Sequence, residues 1–125
     1  MTLVMTPDGD LMANWGTRDF TNHPDREKAL RMIRNLVQFY KEKAKKYLYN
    51  GRMIETPSYT CDTVSYPKNG FTETVKLPAI LATAWEAEDG SQALILVNPE
   101  EHDLSCSVMG KERTVAALSA AIIDL

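Results

Sequence analysis

The rhythm of apolar and polar positions changes once along this chain, near Gly51. Between residues 24 and 50, apolar side chains fall at Leu30, Ile33, Val37, Tyr40, Ala44 and Tyr47, three and four apart in alternation. That is the spacing of one face of an α-helix. Ala29, Leu36 and Leu48 widen the stripe beyond a coiled-coil seam, so it is expected to face a core. Pro24 suits the first helical position, with Asn22 or His23 where a cap belongs. Asp25 and Glu27 sit at the positive end of the helix dipole, and Lys41, Lys43, Lys45 and Lys46 near its negative end. Asn50-Gly51 predicts a left-handed stop. A helix of about 26 residues is about 39 Å long. That is enough to run across a whole sheet or to meet a surface outside its own domain.

After Gly51 short runs rich in Thr, Val and Tyr are punctuated by Pro57, Pro67, Pro78 and Asn69-Gly70. They predict strands near 60–66, 72–77, 79–87, 92–98, 103–109, 113–117 and 120–125, the texture of an antiparallel sandwich. Asp89-Gly90 is the best hairpin turn among them. The first 22 residues are less regular. TLVMT reads as a short buried strand and Thr6-Pro7-Asp8-Gly9-Asp10 as a turn, after which LMANW either returns as a second strand or opens a long loop. The expected fold is α+β, a long amphipathic helix followed by a C-terminal antiparallel β-sandwich. Residues 1–51 carry the strand or loop and the helix, and residues 52–125 carry the sandwich.

Composition narrows the function classes. With 125 residues, 44% hydrophobic and 25% charged, the chain can bury a core without staples. A net charge of −3 gives no overall attraction to nucleic acid or to an anionic membrane, and neither is expected as a partner. The lysine group lacks interleaved arginine or aromatic residues and reads as the solvated face of the helix. No apolar run reaches the roughly 18 residues of a membrane span, and MTLVMTPDGD lacks the basic and apolar regions of a signal peptide. A soluble chain is expected, with its compartment left open. Cys61 and Cys106 have no CxxC partner, and read as two buried thiols or one disulfide.

The order of elements is similar to a known one. "FYKEKAKKYLYNGRMIETP" (39–57) runs a helix into Tyr47, Leu48, Gly51, Arg52 and Met53 and then a proline. "LPAILATAWEAEDGSQALILVNPEEHDLSC" follows, with Trp85, Asp89, Gly90, Leu94, Val97 and Asn98. Across roughly residues 28–125 this resembles the junction in bacterial glycoside hydrolases, largely uncharacterised enzymes of gut bacteria, where a catalytic (β/α)8 barrel gives way to a C-terminal β-sandwich. The resemblance implies a non-catalytic accessory region that packs on the barrel. A full barrel takes about 250 residues, so nearly all of one is missing here and no catalytic residue is carried over. It also implies that TLVMT is the last barrel strand and residues 7–23 the following loop, on the face where barrels hold substrate. Asp8, Asp10, Trp15, Arg18 and Asp19 are then the substrate-facing candidates. The partner expected for the helix stripe is the barrel of the parent chain, or a second copy of this one.

Other candidates have simpler explanations. Sugar hydrolysis needs two carboxyl groups, one protonated and one ionised, and Asp8/Asp10 and Glu86/Glu88 would each place two carboxyl groups on one face of an extended chain. Both pairs also suit turns. Asp8-Gly9-Asp10 lacks the later acidic ligands of a calcium loop. His23 reads as a helix-start residue and His102 as a turn residue, so no metal or cofactor is expected. Trp15, Trp85, Tyr59 and Tyr66 offer ring faces for sugar stacking, which supports the alternative of an independent carbohydrate- or protein-binding module. In the alternation Leu81, Thr83, Trp85, Ala87, however, Trp85 reads as a packing anchor.

Overall fold

In a computed structural model the chain is described over residues 2–5, 11–14, 24–67 and 72–125. Strands β1 (Thr2–Met5) and β2 (Leu11–Asn14) pair antiparallel, Thr2 opposite Asn14 and Met5 opposite Leu11. Of the two readings of this segment, the returning strand is the one formed, so residues 7–23 are not one long loop. The helix follows as α1 (Arg26–Phe39), a π-helical turn (Tyr40–Ala44) and α2 (Lys45–Leu48). It starts two residues later than expected. Pro24 and Asp25 form a turn, and Asp25 caps α1 through its backbone carbonyl, which accepts from Ala29 N at 2.9 Å.

The π turn has a reason in the apolar spacing. Leu36, Tyr40, Ala44 and Leu48 are each four apart, and on an α-helix every such step overshoots a full turn by about 40°. A wider i→i+5 turn absorbs part of that drift. It keeps Tyr40, Ala44 and Tyr47 buried together with Phe39.

The end of the helix corrects another expectation. Neither Asn50 nor Gly51 has a positive φ, so no left-handed residue stops the helix. Gly51 is needed for close approach instead. A Cβ there would lie 2.0 Å from the Tyr47 carbonyl oxygen and 2.8 Å from that of Glu86. The missing side chain lets the chain fold back from the helix directly onto the sheet.

That sheet has four strands in the order β11 (Ser119–Asp124), β8 (Gln92–Asn98), β7 (Leu81–Glu86) and β3 (Arg52–Ile54). A second, three-stranded sheet runs β10 (Lys111–Val115), β9 (Leu104–Val108), β4 (Tyr59–Cys61). A two-stranded ribbon joins β5 (Thr63–Pro67) to β6 (Thr74–Pro78). All pairings are antiparallel. The fold is therefore α+β and rich in strand. The single strand expected at 60–66 is two, because the chain changes partners at Asp62: β4 pairs with β9, β5 with β6.

The four-stranded sheet is covered on both faces. On one, Ile95, Val97, Trp85, Ala120 and Ile122 meet Phe39, Ala44 and Leu48 of the helix. On the other, Ala84, Leu94 and Leu96 share a core with Cys106 and Val108 of β9 and Val115 of β10. Ile80, Leu94, Leu96, Val108 and Val115 are all fully buried, and such side chains contribute roughly 1.5–3 kcal/mol each.

Candidate functional site

The turn between β7 and β8 places charged groups beside the helix end. Gly90 N donates to Ala87 O at 2.9 Å, and Ala87 N donates to Ser91 O at 2.8 Å. With Gly90 at φ 80° this is a three-residue loop closed by a glycine bulge. The Asp89 carboxylate accepts from the hydroxyl and the backbone N–H of Ser91, which hold it below the usual aspartate range. Lys46 lies 3.5 Å from the same carboxylate and 4.8 Å from the centre of the Tyr47 ring. Hydrogen bonding with Tyr47, and the charge of Asp89, raise the Lys46 ammonium above its ordinary value.

Between hairpin and helix lies an open cleft of about 420 Å³. Lys45, Lys46, Tyr49 and Asn50 line one side, and Ala87, Glu88 and Asp89 the other. Tyr49 is 53% exposed. An uncovered ring, an amide and charges of both signs are groups that bind a polar ligand with an apolar face.

Glu86 points to a different role. It accepts from Arg52 Nε at 2.9 Å and Nη2 at 2.7 Å, and from Gln92 Nε2 at 2.8 Å. The Gln92 amide first, and then Arg52, lower its pKa. Three donors on one carboxylate favour its ionised form, which suits an ion-pair tie rather than the protonated acid of a hydrolytic pair. Glu86 ties β3 to the β7–β8 hairpin.

Trp85 is half-buried beneath the helix, and its indole N–H donates to Thr83 Oγ1 at 2.9 Å. Tyr59 is half-buried and donates to the Ile80 carbonyl at 3.1 Å. Tyr66 is 40% exposed on the ribbon and bonds Glu100 at 3.1 Å. Among the described residues Tyr49 and Tyr66 are the exposed aromatic side chains, on separate elements rather than in a row. Lys41, Lys43, Lys45 and Lys46 are exposed. Asp8, Asp10, Trp15, Arg18, Asp19 and His23 lie outside the described residues. Among the described residues no three His, Cys, Asp or Glu side chains come together as metal ligands, and no helix is long and apolar enough to cross a membrane.

One residue, named in the sequence only for the resemblance and its place at a strand end, has a large structural role. Asn98 is fully buried. Its amide donates to the carbonyls of His102 at 2.8 Å, Val115 at 3.0 Å and Ala116 at 3.2 Å, while its Oδ1 accepts from Glu100 N at 2.9 Å. It fixes the turn after β8 against the end of β10. Close by, Leu118 is buried at φ 50°. Its N–H donates to the Glu100 carbonyl and its own carbonyl accepts from Asn35 of the helix, both at 2.9 Å. Surroundings this specific hold a conformation that leucine rarely takes.

Comparison with known proteins finds no family model that matches this chain, no matching curated protein and no matching solved structure.

Proposed function

We propose that this chain is the C-terminal accessory region of a glycoside hydrolase. In this reading the three- and four-stranded sheets form a β-sandwich that packs against the catalytic barrel and takes no part in the chemistry. The observation that carries it is an apolar face left uncovered. In the β5–β6 ribbon Val64 lies opposite Leu77 and Tyr66 opposite Val75, and opposed residues share a face. Tyr66, Val75 and Leu77 are 40%, 41% and 43% exposed, and Leu81, just beyond the ribbon, 49%. A surface of this kind suits a partner. The helix offers less: Tyr40 is buried, and Leu30, Ile33 and Val37 are half-buried.

Light scattering over a range of concentrations tests the reading. An isolated accessory region should self-associate as concentration rises, with slower amide exchange across residues 63–78. A chain that stays monomeric throughout, with unchanged exchange there, would sink it.

A second reading, a carbohydrate-binding module, rests on the cleft beside Tyr49. Affinity electrophoresis through soluble polysaccharides checks it. Retardation that Tyr49→Ala abolishes favours the module, and unretarded migration in every polysaccharide counts against it.

A further inference from the structure

Two thiols face each other across neighbouring strands. β4 and β9 pair with Cys61 directly opposite Cys106, and both are free. Direct opposites on an antiparallel pair have Cα atoms about 4.5 or 5.5 Å apart, depending on the hydrogen-bonding position. Disulfides span about 4.4–6.8 Å between Cα atoms, so either position lies within reach. The side chains share a face as well. Cys106 belongs to the core between the two sheets and Cys61 packs against it.

The two differ in access. Cys106 is 2% exposed, whereas Cys61 is half-buried on the edge strand of its sheet. Burial first, and the neighbouring Cys61 sulfur second, push the Cys106 thiol up. Cys61 Sγ lies 3.9 Å from the Ile80 carbonyl. Losing that weak contact leaves no orphan, because the same carbonyl accepts from the Tyr59 hydroxyl.

We propose that Cys61 and Cys106 form a redox site, a cross-strand dithiol that closes to a disulfide by exchange with a small-molecule disulfide such as oxidised glutathione. The Cys61 thiolate attacks one sulfur of the oxidant, forms a mixed disulfide and releases one glutathione thiol. Cys106 then gives its proton to solvent, attacks Cys61 Sγ and displaces the second glutathione. Two protein thiols are oxidised and one glutathione disulfide is reduced to two thiols. The bond secures β4, a strand of three residues, to β9. It also anchors the base of the ribbon, where Ala79 N donates to the carbonyl of Asp62, the residue after Cys61, at 2.7 Å.

The experiment incubates the full chain with oxidised glutathione, alkylates remaining thiols and maps peptides by mass. The expected product has lost two hydrogens and both alkylation sites, and yields one cross-linked peptide containing residues 61 and 106. Its Tm should exceed that of the reduced chain by about 5–10 °C. Cys106→Ser should stop as a glutathione adduct on Cys61, and folded Cys61→Ser should resist modification. Wild-type protein that keeps both thiols, that accumulates as the Cys61 adduct, or that cross-links two chains overturns the proposal.

Discussion

β8 and the β5–β6 ribbon both carry valine and leucine, and these have different fates. In β8, Ala93, Leu94, Ile95 and Leu96 are consecutive and buried, because the helix covers one face of the strand and the β9–β10 side the other. In the ribbon, apolar residues alternate with Thr63, Ser65, Thr74 and Lys76, and the apolar face stays well exposed. A two-stranded ribbon is marginal without a face to pack on. Alternation tells which side of a strand is apolar. What covers that side is decided by elements far away in the chain.

The largest break in this comparison should come from β8. Leu96→Ala opens a cavity in a site with no exposure, and should cost about 3 kcal/mol in urea unfolding with the slope unchanged. A loss under about 1 kcal/mol would mean that the core between the sheets collapses around the gap.

Asn98→Ala should come next, at about 2–3 kcal/mol, because several buried backbone groups lose one partner together. It sharpens the contrast, since the β8 end depends on a polar anchor as well as on apolar cover. Asn98→Asp separates geometry from bonding: the carboxylate keeps the bond from Glu100 N but faces the carbonyls of Val115 and Ala116 without a donor. It should be at least as damaging as the alanine variant in the same unfolding measurement.

A gain is expected at the turn between β9 and β10. Met109 and Gly110 have φ of 49° and 75° between paired Val108 and Lys111, a two-residue turn that favours Asn-Gly. Met109 is 59% exposed and buries little. Met109→Asn should therefore stabilise by about 0.5–1 kcal/mol. An unchanged urea midpoint would show that the methionine side chain gives the turn something its exposure hides.

What the sequence made legible follows the same division. The helix, β8 and the β7–β8 hairpin announce themselves through periodicity and Asp89-Gly90, which are local signals. The β9–β10 turn did not, because methionine is an unusual residue for positive φ. β3 was missed because three residues carry no period, and the split at Asp62 because only its partners, β9 and β6, distinguish β4 from β5. Gly51 was noticed for the wrong reason: it is needed for close approach to the Tyr47 carbonyl of its own helix and to the Glu86 carbonyl, thirty-five positions along the chain. Of the candidate site, the lysines were read in the sequence as a solvated helix face and Asp89 as a turn residue. The cleft that joins them to Tyr49 exists only once helix and hairpin are packed together.

The smallest effect on stability, and the sharpest test of the comparison, belongs to the ribbon. Val75→Thr with Leu77→Thr places β-branched residues suited to a strand at both positions while removing most of the apolar character from β6. Both positions are more than two-fifths exposed, so the unfolding free energy should change by less than about 0.5 kcal/mol. Association is another matter. If the face awaits a partner, light scattering of the double variant should show a monomer at concentrations where the parent chain associates. A destabilisation as large as that of Leu96→Ala would instead show that the ribbon is cover for its own core. β8 and the ribbon would then be two parts of one buried structure, and the docking role would be lost.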